Sequence, residues 1–462
     1  MTTTRDETMT LARNVATVAM VCVAFACKDL IVPDYNNTSL DDLIANPTPT
    51  KVAQASQGLM LGTRVGMGAQ NGYVSLLGIL GRESYNFDAA DPRFITEMVI
   101  GPLDGGSPAF GGNLFAGPYR NIRNANLVLG AVEAVVGMSP EQKAAVRGFA
   151  KTIQALDYLH VINTRDDLGA PLDVNIDPIA APAPIVTKAE IFAHISSLLD
   201  QAQTDLQGGG TAFPFSLSPG FAGFNTPATF VKVNRALKAR VEAYRGIYAA
   251  ALTAVNGSFI DTGAPLTLGA YHSYSTGSGD TQNALFDPTG RAIVANPSVV
   301  TDAETKPDGT RDNRVLQKVA QLPAPRVVQG ITTDYVFSIY NSNVTPIPII
   351  RNEELILLRA EARYFTGDQV GALNDINFIR TNAGGLVARG PFLNAADFTT
   401  ELLRQRRYSL LFEGGHRWID ARRFGRLTTL PNALPSHTIM SRFPFPEAEC
   451  LARVPAPTQG CT

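Results

Sequence analysis

The chain has few of the residues that metal sites and thiol chemistry require. Its 462 residues include four cysteines, five histidines and one tryptophan. No two cysteines form a CxxC pair, which argues against a zinc site. The five histidines are His160, His194, His272, His416 and His437. No two of them are three or four residues apart, so no pair could bind a metal from one helix face. We therefore predict neither a metal nor a cofactor.

The sequence also lacks the common catalytic signatures. It has no HExxH, GxSxG, P-loop or GxGxxG motif. Acidic pairs occur at 41–42, 166–167 and 353–354, and two carboxylates could serve a glycoside hydrolase. Each pair lies beside a helix start or a loop, where acidic residues are common. We predict that the protein is not an enzyme, and a glycan hydrolase is the least favoured function.

Strong net charge and a membrane-spanning apolar run are absent as well. A formal net charge of −2 offers no basic surface, so we predict no nucleic-acid partner. The apolar run at 15–26 is too short to cross a bilayer but has the length of a secretory signal core. Arg13 precedes this run, and Ala24 and Ala26 stand just before Cys27.

This N-terminal pattern resembles a bacterial lipoprotein signal. It predicts a signal peptide at 1–26, Cys27 as the lipid anchor and a polar tether at 27–50. Ala24 stands where leucine is usual and Phe25 is bulky, so an ordinary secreted protein or a buried first helix remains an alternative. Translation could start at Met1 or at Met9.

Forty glycines and thirty prolines predict that ordered loops form much of the surface. Two of these loops are expected at 165–187 and 208–227. Near the C-terminus, Cys450 and Cys461 flank a proline-rich loop that a disulfide could close in an oxidising compartment, although two free thiols are the alternative.

Helical periodicity predicts helices at about 51–67, 118–136 and 140–163. Ser139 is the expected N-cap of the third, with Pro140 at the first helical position and Gln142 at the third. Thr187 is the expected N-cap of a further helix.

Two stretches share a pattern that predicts a repeated helical hairpin. In RALKARVEAYRGIYAAALTAVN, Gly246 lies five residues before an Ala-Leu pair, and Gly367 has the same spacing in RAEARYFTGDQVGALNDINFI. Such pairs must stack on neighbours to bury their apolar faces, as in tetratricopeptide-like proteins. The pattern predicts hairpins at about 51–256 and 349–430. An irregular insert without helices is predicted at 257–348, all within one domain at 51–462.

The C-terminal third resembles the signature of the SusD/RagB family of outer-membrane lipoproteins. RNEELILLRAEARYFTGDQVGALNDINFIRTNAGG and LLRQRRYSLLFEGGHRWIDARRFGRL carry the pattern, with Gln405, Ser409 and Ala421 as departures. The matching positions include Arg351, Glu354, Glu361, Gly367, Asp368, Asn377, Arg380, Glu413, Gly414, Arg417, Trp418 and Asp420. GPYRNIRNANLVL is similar to a second family pattern through Tyr119, Ile122, Ala125 and Asn126.

The resemblance implies an all-α fold of tetratricopeptide-like hairpins with a loop-rich insert. It also implies a protein tethered by lipid to the outer membrane, at the cell surface, that binds an oligosaccharide or peptide. Its partner would be a SusC-like TonB-dependent transporter. A protein-interaction scaffold at the outer membrane is the alternative function.

Aromatic faces stack on sugar rings, so aromatic residues in irregular segments are candidate ligand contacts. They are Tyr271, His272 and Tyr274 in AYHSYSTGSGD, together with Tyr335, Tyr340, Tyr85 and Phe110. The charged helix ends near Arg351, Glu354 and Glu361 are expected to pair on an exposed face. The charges around Glu413 and Asp420 are expected to close the last helices onto the bundle, with an arginine stacked on Trp418.

Overall fold

The computed structural model describes residues 40–177 and 179–461. The predicted signal peptide, Cys27 and the first part of the tether lie outside these residues. From Leu43 onward the chain forms one compact unit. Among the described residues, no helix combines the length and the apolar character that a membrane crossing needs.

The described residues are mainly helical, which confirms the predicted all-α fold class. Within these residues there are sixteen α-helices: α1 Leu40–Ala45, α2 Pro49–Arg64, α3 Tyr73–Leu80, α4 Arg93–Ile95, α5 Ala116–Ala134, α6 Pro140–Arg165, α7 Lys188–Gln207, α8 Pro227–Arg245, α9 Tyr248–Asn256, α10 Ser298–Thr301, α11 Asn313–Lys318, α12 Asn352–Phe365, α13 Gln369–Asn382, α14 Ala395–Ser409, α15 His416–Arg423 and α16 Glu447–Leu451. The strands are β1 Ser84–Asn86, β2 Ala170–Pro171, β3 Ile185–Val186, β4 Gly269–His272, β5 Ile293–Ala295, β6 Val319–Val328, β7 Ile331–Phe337 and β8 Ile347–Arg351.

Side-chain caps fix where the long helices begin. The Ser139 hydroxyl accepts from the Gln142 backbone N–H and the Gln142 side chain accepts from the Ser139 N–H, so α6 starts at Pro140 with a capping box. Thr187 and Glu190 form the same arrangement at α7. Both predicted caps are confirmed.

The two hairpins predicted from the repeated pattern are present. Helices α8 and α9 turn at Gly246 (φ 73°), and α12 and α13 turn at Gly367 (φ 97°). A positive φ is available to glycine at little cost, which explains its position at both turns. Ala251 and Ala372 are fully buried, and α12 packs against both α8 and α9. The two copies are therefore direct neighbours in the stack.

The insert at 257–348 is more ordered than predicted. It contains the short helices α10 and α11, and its strands form antiparallel pairs. Strand β5 pairs with β1, β4 with β8, and β6 with β7 through a turn at Gln329 and Gly330. The prediction of an insert without helices is wrong. These elements are short, and two of the three strand pairs join segments far apart in sequence, so no local periodicity could reveal them.

Two large cores hold the unit together. The first lies among α2, α5–α9 and α12, and the second lies beneath the insert and the C-terminal helices. A third, smaller core fills the space between α12, α13 and α14. The second core contains Tyr85, Tyr340 and Trp418, which bears directly on the predicted ligand contacts.

Candidate functional site

The charged family residues form buried ion pairs, not exposed ones. The relative exposures of Arg351, Glu354 and Glu361 are 4%, 1% and 0%. The guanidinium of Arg351 contacts Glu413 at 2.8 Å and also binds Glu353. The prediction that these residues pair on an exposed helix face is wrong, because each is buried and has a partner on a distant element: Glu413 for Arg351, Arg240 for Glu354 and Arg423 for Glu361.

One ion-pair cluster attaches the insert to the C-terminal helices. Lys318 lies 2.7 Å from Glu413, which also accepts from Arg351 at the end of β8. Burial raises the pKa of Glu413, but Arg351 and Lys318 outweigh it and lower the pKa below its usual value. The cluster therefore keeps Glu413 ionised and holds the end of β8 against the turn before α15.

A second cluster closes the last helices onto the bundle, as predicted. Asp420 lies 2.6 Å from Arg406 and 3.2 Å from Arg423, and Arg423 also contacts Glu361 at 3.1 Å. Trp418 is fully buried, with the Arg422 guanidinium 4.5 Å from its ring centroid. The prediction of an arginine on this tryptophan is confirmed.

The remaining family positions have structural contacts too. Asp368 caps α13 by accepting from the Gly371 N–H at 2.8 Å, and Asn377 exchanges hydrogen bonds of 2.8 and 3.0 Å with Arg389. Arg380 contacts Glu401 at 2.5 Å. Arg417 donates to the Arg82 carbonyl at 2.8 Å. These family positions therefore have contacts that support the fold.

Most of the predicted aromatic contacts are core residues. Tyr85, Phe110, Tyr274 and Tyr340 are 1% to 7% exposed, and His272 is 6% exposed. The Tyr340 hydroxyl donates to the Phe412 carbonyl at 2.8 Å, and the Phe110 ring stacks on Phe94. Because they are buried, these five candidate ligand contacts do not present the exposed ring face that stacking on a sugar needs. Tyr271 and Tyr335 are half-buried and retain partly accessible rings.

The predicted loop after β4 does form a surface, but a polar one. We call this surface the insert rim; it consists of residues 275–282 and 341–345. Arg64 at the end of α2 fixes the loop by binding Asp280 and the Ser273 carbonyl, and its guanidinium lies 5.3 Å from the centre of the Tyr274 ring. Tyr274 therefore supports the loop from beneath.

Amide and hydroxyl groups dominate the insert rim. Asn283 at its base donates from its side chain to the Thr345 carbonyl at 2.8 Å, and its N–H donates to the Asn343 carbonyl at 2.7 Å. The Asn343 side chain donates to Gln282 at 2.8 Å. Residues 276–282 are all exposed. Sequence reasoning missed Arg64, Asn283 and Asn343, because only the fold brings them beside the loop.

A second concave surface lies between the proline-rich crossing and the C-terminal loop. We call it the crossing groove; it consists of two cavities of about 650 and 800 Å³ that share Ala181, Pro182 and Arg453. Its walls include Tyr119, Asn175 and Phe445. The Cys450–Cys461 disulfide is present and closes the C-terminal loop beside it.

A small internal cavity of about 30 Å³ is lined by residues of both large cores. His160, His272 and His416 line it together with Tyr73 and Arg240. Burial is the main cause that lowers their pKa values, to about 3 for His160, about 3 for His272 and about 4 for His416. Among the described residues, no group of three or more His, Cys, Asp or Glu side chains could hold a metal ion.

Comparison with family models finds a match to part of the chain. Residues 327–449 match the SusD family. No curated protein matches the chain.

Solved SusD-like structures extend the similarity over nearly all of the chain. A SusD superfamily protein from Bacteroides vulgatus is 18% identical, covers 90% of this chain and 99% of its own, and has a TM-score of 0.69. Surface glycan-binding protein A from Bacteroides thetaiotaomicron, solved with laminarihexaose, is 13% identical with a TM-score of 0.66, covering 88% and 98%. A laminarin-binding SusD-like protein is 16% identical with a TM-score of 0.60, covering 86% and 97%.

The resemblance to the SusD/RagB family is therefore confirmed. The family match covers the segment with the buried ion-pair clusters, and the SusD-like fold extends through both hairpins and the insert.

Proposed function

We propose that this protein captures a glycan at the cell surface and delivers it to a SusC-like TonB-dependent transporter. The observation that carries the proposal is the SusD family match at 327–449 in a chain with the SusD-like fold. Two proteins of the same fold bind laminarin or were solved with laminarihexaose. An oligosaccharide is therefore the favoured ligand, and a peptide is the second choice.

The insert rim is the proposed glycan contact. Sugar hydroxyls need donors and acceptors, which the exposed Thr276, Ser278 and Gln282 supply together with Asn343. The half-buried side chains of Tyr271 and Tyr335 offer limited apolar surface. Because the other predicted aromatic side chains are buried, the rim suits a short oligosaccharide better than a long platform for stacked rings.

A glycan array on the purified full chain tests the binding proposal. We expect at least one oligosaccharide to bind and the variant Thr276→Ala/Gln282→Ala to weaken it about tenfold, because it removes exposed hydrogen-bonding groups. Asn175→Ala in the crossing groove is the matched control and should leave affinity unchanged. If Asn175→Ala weakens binding and the rim variant does not, the glycan binds in the crossing groove and not at the insert rim.

The same array separates the competing functions. Cleaved products would indicate a glycan hydrolase. Absence of binding to every glycan and peptide, combined with binding to a protein partner that survives the rim variant, would indicate an interaction scaffold instead.

The proposed tether and transporter partner need their own experiment. We expect labelled palmitate to attach to the parent chain in a lipoprotein-processing bacterium, and Cys27→Ala to abolish both labelling and outer-membrane fractionation. A tagged parent chain should co-purify with a SusC-like barrel. Labelling that survives Cys27→Ala would contradict the proposed anchor.

A further inference from the structure

A cavity of about 390 Å³ lies beside α14 and α15, and it shares no residue with the insert rim or the crossing groove. Four arginines line it, and two aspartates, Asp302 and Asp420, stand on the same walls. We call it the arginine pocket: Arg404, Arg407, Arg417, Arg426 and Tyr408, with Thr429 at its edge. Four cations against two carboxylates leave the lining with an excess of positive charge.

The two aspartates do not neutralise all of this charge. Asp420 is already bound by Arg406 at 2.6 Å and Arg423 at 3.2 Å, and Asp302 pairs with Arg407 at 2.9 Å. Arg404 has acidic partners outside the pocket, Glu304 at 3.2 Å and Glu401 at 3.4 Å. Within the described part of the chain, Arg426 has no close carboxylate partner, and Arg417 interacts with Glu83 only at longer range than an ion pair.

The positive charge of the Arg417 guanidinium is only partly neutralised. It donates to the Arg82 carbonyl at 2.8 Å, a neutral acceptor. Burial and the nearby Arg407 lower the pKa of Arg417 to about 9, although Glu83 and Asp302 act in the opposite direction. Glu83 and Asp302 compensate this half-buried cation only in part, so an anion placed beside it would be stabilised.

Tyr408 supplies a second unsatisfied group in the same pocket. Its side chain is 1% exposed, and its hydroxyl has no hydrogen-bond partner among the described residues. The Arg407 guanidinium lies 5.4 Å from the centre of its ring, and the Nε of Arg407 is also buried without a partner. Buried polar groups in folded proteins are normally paired, so these donors are suited to an absent acceptor.

We propose that the arginine pocket binds the oxyanion group of a small acidic molecule, with an acidic sugar as the favoured ligand. Guanidinium groups and a tyrosine hydroxyl are donors suited to carboxylate, sulfate or phosphate oxygens. Leu403, Ala421 and Leu430 form an apolar part of the wall that a sugar ring could cover. The cavity volume falls within the range of small-molecule sites and exceeds what a bare ion would fill.

Calorimetric titration of the purified full chain tests this proposal with glucuronate, sulfate and inorganic phosphate, and with glucose as the neutral probe. We expect glucuronate to bind and glucose not to bind. Binding of glucuronate alone identifies an acidic sugar; equal binding of sulfate or phosphate identifies a site for free oxyanions and supports the same pocket.

Two variants localise the binding. Tyr408→Phe removes a hydroxyl that has no partner, and Arg426→Gln removes an unpaired charge, so both should fold with an unchanged melting temperature in the absence of ligand. Each should weaken binding about tenfold, and a loss in only one assigns the contact to that side chain. Arg291→Gln, an exposed arginine outside the pocket, is the matched control.

Absence of saturable binding by all three anions would overturn the proposal, as would unchanged affinity in both pocket variants. The glycan array addresses the insert rim and does not share these variants. A failure of either experiment therefore leaves the other interpretable.

Discussion

Arg240 and Glu354, separated by 114 residues, form a bidentate buried ion pair between α8 and α12. The Nε–Oε1 and Nη2–Oε2 distances are 2.7 and 2.6 Å, and the two side chains are 7% and 2% exposed. Burial alone would raise the pKa of Glu354, but Arg240 and the nearby His416 lower it to about 2. The pair joins the first copy of the repeated hairpin to the second.

Glu354→Gln should lower the free energy of unfolding by about 3 kcal/mol, because it leaves the Arg240 guanidinium buried without its counter-charge. Urea denaturation followed by circular dichroism measures the change. Arg404→Gln is the control, since Arg404 is 43% exposed and its ion pairs should contribute less than about 1 kcal/mol. Equal effects of the two substitutions would contradict the assignment. The double variant Arg240→Met/Glu354→Leu should be more stable than Glu354→Gln alone.

The two glycines before α15 should respond differently to alanine. Gly415 has φ 72°, and a Cβ there would lie 2.3 Å from the Leu77 Cβ; a Cβ on Gly414 would meet nothing closer than 3.5 Å. Gly415→Ala should therefore cost about 2 kcal/mol or more, and Gly414→Ala well under that. Thermal unfolding of the two variants measures the difference. Greater sensitivity at Gly414, the family position, would contradict this steric argument.

The sequence predicted features that depend on neighbouring residues. The caps at Ser139 and Thr187 and the turns at Gly246 and Gly367 follow from local chemistry, and all four are present. The hydrogen-bond and ion-pair partners that lie far apart in sequence were not predictable. Both copies contain an Arg-x-Glu-Ala run, at 240–243 and 359–362. Glu242 nevertheless accepts from Ser196 at 2.6 Å and pairs with Lys238 and Arg245, whereas Glu361 pairs with Arg423.

The candidate site shows the same limit. The segment AYHSYSTGSGD was predicted to contact a ligand, and its residues 276–280 are exposed. The aromatic residues beside it follow no periodicity that distinguishes a ring facing solvent from one facing the core, so Tyr274 and Tyr340 were assigned to the wrong side. Arg64 and Asn343 approach the loop only because α2 and the segment before β8 converge there.

The three histidines of the internal cavity should remain neutral in the folded protein down to about pH 5. Their usual pKa is 6.5, and burial lowers it to about 3 or 4. Between these values the unfolded chain binds protons that the folded chain does not, so their contribution to stability is complete above pH 6.5 and is lost as the pH falls toward 4.

Nuclear magnetic resonance of the imidazole C–H groups measures this directly. His160, His272 and His416 should show no titration between pH 7.5 and 5, and any midpoint near 6.5 would contradict the burial argument. This readout separates the histidines from Asp157, whose pKa burial raises to about 7 and whose contribution to stability changes with pH in the opposite direction.

Glu83 should destabilise the folded protein at alkaline pH. Burial raises its pKa from 4.5 to about 7, although Arg417 acts in the opposite direction. Below pH 4.5 the carboxyl is neutral in both the folded and the unfolded chain. As the pH rises from 4.5 to 7, the unfolded chain loses the proton first, and stability falls. Above pH 7 the full cost of the buried carboxylate remains.

Glu83→Gln should therefore raise the free energy of unfolding at pH 8.5, by up to about 3 kcal/mol, and change it little at pH 4.5. Urea denaturation at both pH values measures the change. Glu133→Gln is the control, because the Glu133 side chain is 63% exposed and its substitution should have a small effect at either pH. A loss of stability in Glu83→Gln at pH 8.5 would show instead that the ionised carboxylate stabilises Arg417, and would reverse the sign argued here.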